Sequence, residues 1–233
     1  MTLSLLLATA SCGPVESTAV DSGVRSTPAT SYVVRTVHGF QVHVSSAVEA
    51  SADGRRALAL LEEKLGEVIA ALPSSALTRV QRVPLWVSVN DSVCPSACYH
   101  PSSAWLTEHG FEPAKSGGVE IANMTAFVKW SNDQPSMVLH ELAHGFHHQV
   151  LGFDDQQVIA AYEALVASKR FEAVMHVSGG IRRHYALTSA VEMFAELTES
   201  AFGRNDFSPF DRAQLAAQEP QLEALMAEKW GRR

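Results

Sequence analysis

Residues 136–150 read SMVLHELAHGFHHQV, and this stretch limits the fold more than any other part of the chain. At about 100° per residue, Val138, Leu139, Leu142, Phe146 and Val150 line one side of a helix, while His140, His144 and His147 fall within about 60° of one another opposite them. Such a helix docks by its apolar stripe and presents imidazoles on the other side. Within it, HELAH is an H-E-x-x-H motif. Two histidines at i and i+4 can bring nitrogens to one Zn2+, and Glu141, about 100° round, reaches a water rather than the metal. A shuffled chain of this composition holds such a motif roughly 3 times in 100, so the five residues do not decide the matter alone. The plain alternative is a solvated helix face that is merely rich in histidine.

A catalytic zinc takes a third protein ligand and keeps one position open. His147 does not supply it from the same straight helix, because positions i and i+7 lie about 10.5 Å apart along the axis. The H-E-x-x-H-x-x-G-x-x-H pattern, which provides a turn, is absent: His147 stands at the glycine position and Val150 at that of the third histidine. His147 and His148 are therefore expected behind the ligands or at the surface. Downstream, residues 184–196 read HYALTSAVEMFAE. Glu192 and Glu196 are one turn apart on one face, so one carboxylate can ligate while the other accepts a hydrogen bond from a ligand imidazole. The spacing suits equally an acidic solvated face of Glu192, Glu196 and Glu199 opposite Ala190, Met193, Phe194 and Leu197. Ser189 with Glu192 also fits a simple capping box.

HELAH followed by Y-x6-E-x-F-A-E resembles the gluzincins, zincin peptidases with a glutamate as third ligand, and in particular the lethal-factor-like catalytic domains. The stretches MVLHELAHGFHHQVLGF and HYALTSAVEMFAELTESAFGRNDFSPF are also similar to exported bacterial metallopeptidase-like proteins, so the likeness covers residues 90–230. It implies one Zn2+ per chain held by His140, His144 and Glu192, Glu141 as general base, and Tyr185 as hydrogen-bond donor to the oxyanion. On that reading Glu196 orients a ligand imidazole and His184 assists Tyr185. Met193 stands where the family more often has an aromatic residue. The implied activity is hydrolysis of a peptide or protein substrate by a monomer. Two other readings compete: a surface-tethered, non-catalytic zinc-binding protein of zincin fold, and a zinc hydrolase of a small amide or ester. Val119, Glu120, Ile121 and Ala122 are expected to form a strand whose exposed edge pairs with an extended substrate.

The rest of the chain bounds where this chemistry sits. Its 233 residues carry 18 Lys+Arg against 25 Asp+Glu, a net charge of -7, with no basic block, which excludes nucleic acid as a partner. No apolar run reaches the roughly 18 to 20 residues of a membrane-spanning helix. Residues 1–11 are apolar, then small, as in a secretory signal, and Thr9-Ala10-Ser11-Cys12 resembles a lipobox. Cys12 is thus the expected lipid anchor of an exported protein, membrane-anchored or otherwise secreted, which touches the membrane only there. Residues 12–31, rich in Ser, Thr, Gly and Pro, predict a flexible linker before a domain over 32–233. Export favours a disulfide between Cys94 and Cys98 over a metal pair or two free thiols.

Alternation around His38-Gly39 predicts a hairpin over 31–44. Apolar spacing predicts a long helix over 47–72 and further helices over 136–150, 155–169, 188–202 and 212–229. Strands are expected at 84–90 and 118–122, with a loop region at 92–118 holding one short helix at 103–109. Strands followed by helices argue a single α+β domain: a small N-terminal sheet with a helical C-terminal part carrying the site. The resemblance adds that this domain is zincin-like.

Overall fold

The computed structural model describes residues 26–232. The expected signal at 1–11, the anchor Cys12 and most of the expected linker lie outside the described residues. The end of that linker is docked rather than free. Thr27 donates from its N–H and Oγ1 to Asp91 Oδ2 and Oδ1 (2.8 and 2.7 Å), and the Ala29 N–H donates to Glu112 Oε2 (2.9 Å). The folded body therefore begins by Ser26 and not at residue 32. Two distant carboxylates collect donors from a segment whose composition alone reads as a tether.

Strands β1 (Tyr32–Val37) and β2 (Phe40–Ser45) form the expected antiparallel hairpin, with Val37 opposite Phe40. Its two-residue turn places both His38 (φ 51°) and Gly39 (φ 84°) in the left-handed region, the requirement of a turn that matches strand twist. The region predicted as one helix over 47–72 is two, α1 (Ser46–Ala50) and α2 (Ala52–Ala71). They divide at Ser51, which is extended and accepts the Gly54 N–H on its Oγ (2.8 Å). A Cβ on Gly54 would lie 1.9 Å from the Val48 carbonyl oxygen, so the corner is open only to glycine. Helix α3 (Ser74–Val80) follows Pro73.

Three short strands complete the sheet: β3 (Leu85–Val87), β4 (Ala97–Tyr99) and β5 (Val119–Ile121). Helix α4 (Ser103–Glu108) precedes β5, and α5 (Met124–Trp130) follows it. The strand order is β1-β2-β3-β5-β4, with β5 parallel to β3 and antiparallel to β4. This corrects the expectation of an exposed edge at Val119, Glu120, Ile121 and Ala122. All four are buried, β5 is paired on both sides, and the Ala122 N–H bonds to the Ser96 carbonyl (2.7 Å). The sheet ends instead at β1 and at β4, the latter a strand of three buried residues inside the segment read as loop.

One face of the sheet, with Val42, Val44, Leu85, Val87, Val119 and Ile121, belongs to the main core together with Ala57, Leu61, Leu65 and Val68 of α2. The other face carries His43, Trp86, Glu120 and Cys98 at facing positions. Over it lies Lys115, fully buried, its Nζ 2.6 Å from both Asp91 Oδ2 and Glu120 Oε1. Ser88 Oγ donates to Glu120 Oε1 (2.7 Å), and His100 Nε2 stands 2.9 Å from Glu120 Oε2. Burial pulls the Lys115 ammonium down, but the charges of Glu120 and Tyr32 and the bonds to both carboxylates hold it above its usual range. On the neighbouring loop the sulfurs of Cys94 and Cys98 lie at disulfide distance, as expected, with Cα atoms 6.4 Å apart.

The C-terminal half contributes α6 (Met137–Phe146), one turn of π-helix (His147–Leu151), α7 (Gln156–Ser168), the small hairpin β6 (Val174–Met175) and β7 (Ile181–Arg182), α8 (Ala190–Phe202), α9 (Arg212–Gln218) and α10 (Pro220–Lys229). The helix expected over 212–229 is broken at Pro220, which opens α10 because a proline ring cannot continue α9. The α+β class holds, with a mixed five-stranded sheet. The expected partition is softer, since α1 to α5 interleave with the strands. Among the described residues no helix is long and apolar enough to cross a membrane.

Candidate metal centre

Every residue of α6 is buried, which removes the alternative of a solvated histidine-rich face. The acidic solvated face fails too: Glu192, Glu196 and Glu199 of α8 are 5%, 4% and 4% exposed. Both helices read as amphipathic because their polar stripes face each other. That packing brings His140 Nε2 to 3.2 Å and His144 Nε2 to 3.5 Å from Glu192 Oε2. The two imidazoles meet edge to face with centroids 4.7 Å apart. One ligand-type atom from each of the three residues falls within 4.8 Å of the others, so the group can hold a metal ion. The capping reading of Ser189 holds alongside: its Oγ accepts the Glu192 N–H (3.1 Å), fixing the first turn of α8 on which the carboxylate sits.

The electrostatics fit a cation. Burial pushes the Glu192 carboxyl up, but His144 and His140 outweigh it and hold the group below the usual range. The ion pairs of Glu192, Glu196 and Glu199 among the described residues are all with imidazoles, so no fixed positive charge balances these carboxylates. Two nitrogens and one carboxylate oxygen form a donor set of the borderline kind that zinc accepts. Glu141 is buried beside them, and its Oε2 accepts the main-chain N–H of Tyr99 on β4 (2.8 Å). Burial raises its carboxyl, partly countered by His140 and His144.

Comparisons with family models, curated proteins and solved structures returned no match.

Behind the ligands the structure redistributes two expected roles. The carboxylate on His140 Nδ1 is Glu199, at 2.6 Å, whereas Glu196 stands 3.6 Å away. Glu196 instead accepts from Asn205 Nδ2 (2.8 Å) and lies 3.6 Å from His184 Nδ1. The signal for Glu199 was present, since i, i+4 and i+7 share a helix face, but it had been counted as solvated acid. Burial pushes the Glu199 carboxyl up to about 7 against the pull of His140, and burial with the charge of Glu199 holds Glu196 well above its range. His184 is enclosed between Phe171 (4.6 Å) and Phe207 (4.9 Å), and its Nδ1 accepts the Ala186 N–H (3.1 Å). Burial brings this imidazole down to about 3, so it stays neutral.

Tyr185 is half-buried and opens the 3-10 turn Tyr185–Leu187 that leads into α8. Its position is thus tied to the helix that carries Glu192. His147 is not at the surface, and it lies outside the group that can hold a metal ion. It is fully buried, with Phe194 at 4.6 Å and Phe153 at 5.2 Å, and burial brings it down to about 4. His148, half-buried, stacks on Phe153 and places Nδ1 2.9 Å from the Tyr99 hydroxyl. Tyr99 was missed by the sequence reading altogether, because its contact with Glu141 is made by backbone.

Proposed function

We propose that this chain is an exported zinc-dependent peptidase of the gluzincin kind, with a zincin-like domain and zinc held by His140, His144 and Glu192. The observation that carries the reading is the convergence of those three side chains from α6 and α8 with Glu141 buried alongside. When bound, zinc supplies polarisation of a substrate carbonyl and acidification of water. The residues of the chain do the rest. Glu141, its Oε2 held by the Tyr99 N–H, takes a proton at Oε1 and passes it to the leaving amine. Glu199 accepts from His140 Nδ1–H, so the imidazole turns Nε2 toward Glu192 with the right tautomer. Tyr185 donates a hydrogen bond where the oxyanion develops. Anchoring through Cys12 after export completes the reading.

The first test is elemental analysis for zinc on the wild type and two variants. The wild type is expected to hold one zinc per chain, Glu192→Ala to lose it, and His147→Ala to keep it. Zinc kept without Glu192 and lost without His147 would overturn the ligand set. Tyr185→Phe is expected to lower kcat by about 10²- to 10³-fold with zinc content unchanged, the usual loss for one oxyanion donor. An unchanged kcat removes Tyr185 from the catalytic residues.

A further inference from the structure

The loop closed by Cys94 and Cys98 has no part in the chemistry above, yet it ends on the strand that touches Glu141. At the ends of β4 the Ala122 and Asn123 N–H groups donate to the Ser96 carbonyl (2.7 and 3.0 Å), the His100 N–H donates to the Gly118 carbonyl (2.9 Å), and the Gly117 N–H donates to the His100 carbonyl (2.7 Å). Ser96 and His100 thus face β5, and by antiparallel alternation so does Cys98, while Tyr99 turns its N–H to the open side. That N–H meets Glu141 Oε2 at 2.8 Å. The Tyr99 ring is gripped as well: its hydroxyl lies 2.9 Å from His148 Nδ1 and accepts from Gln149 Nε2 (3.0 Å).

We propose that the Cys94–Cys98 disulfide is a positioning device for Glu141, holding the Tyr99 N–H against the carboxylate. An edge strand of three residues is paired on one side only and opens more readily than the core strands. Closing the chain at Cys98, the middle residue of that strand, restricts the conformations available to its open form. A catalytic carboxylate displaced by about 1 Å can lose about 10²-fold in rate. The catalytic consequence of the device rests on the peptidase reading; its structural part does not.

The experiment uses the full chain loaded with zinc and reads amide hydrogen exchange together with steady-state kinetics. In Cys94→Ser/Cys98→Ser, the Tyr99 amide is expected to exchange about tenfold faster or more, while the Val119 amide, bonded to the Pro84 carbonyl, keeps its protection. On a peptide substrate, kcat is expected to fall about 10- to 100-fold with KM and zinc content unchanged. Glu141→Ala, with the disulfide intact, is expected to release the same amide. Unchanged Tyr99 exchange in the double variant overturns the proposal, and so does unchanged kcat. Loss of protection at Val119 in step with Tyr99 overturns it too, because the disulfide would then brace the whole sheet. If the wild type cleaves no peptide, the exchange data still decide whether the disulfide holds Tyr99 on Glu141, and the peptidase reading fails separately.

Discussion

Glu141→Gln is expected to bind a full equivalent of zinc and to lose about 10²- to 10⁴-fold in peptide hydrolysis, the range carried by a general base. The amide keeps the shape of the side chain and can still accept the Tyr99 N–H, so β4 and α6 stay in place. It cannot take a proton from water. On the proposed reading the ligand atoms come from His140, His144 and Glu192, none of which depends on a charge at position 141. His144→Ala provides the contrast, since it is expected to lose metal and activity together. Elemental analysis and kcat/KM on a peptide library measure both quantities on the same preparations. Full activity in Glu141→Gln would sink the mechanism, and zinc lost from it would mean that the glutamate is a ligand.

Lys115→Met is expected to cost about 3 to 5 kcal/mol of folding stability at neutral pH, the usual loss when one partner of a buried ion pair is removed. Methionine fills similar volume, but Asp91 and Glu120, each 1% exposed, are left facing one another without a cation. The pH dependence has a definite sign. In the wild type, burial raises the Asp91 carboxyl but the bonds from Lys115 and Thr27 outweigh it, so its folded pKa is lowered. Its contribution to stability is therefore present above the ordinary value of about 3.9 and disappears as pH falls through the lowered one. Without Lys115 only the Thr27 bonds oppose burial and the carboxyl moves up, so acid relieves the variant at a pH where the wild type still keeps this contribution. Urea unfolding at pH 7 and pH 4 is expected to show the gap between the two proteins narrowing at the lower pH. A constant gap would show that the network is held by hydrogen bonds and packing rather than by charge.

The hairpin was legible from local signals, since His38-Gly39 is a turn in its own right, and so were α6 and α8, whose stripes are long and regular. Local signals did not give β4, whose Ala97-Cys98-Tyr99 holds no β-branched residue, unlike the equally short β3 and β5, nor did they give α5. Strand order was out of reach for a different reason. Whether β5 lies inside or at the edge depends on where residues 97–99 return, and nothing in VEI itself records that. The three ligand-type residues were named from the motif and its resemblance, and the fold brings them together. The partner of His140 was misassigned by one turn, from Glu199 to Glu196, because helical phase alone cannot rank two carboxylates on one face. The strap from Ser26 to Thr27 was hidden by composition, and the buried Lys115 by its distance in sequence from Asp91.

Trp230 stacks on Phe146 of α6 at 4.1 Å, lies 5.9 Å from Phe194 of α8, and donates from Nε1 to Thr198 Oγ1 at 3.0 Å. The two helices it bridges are those that carry His140, His144 and Glu192, so Trp230 braces the spacing of these three side chains. A substitution at Trp230 would therefore disturb the spacing of those side chains before it disturbed the sheet.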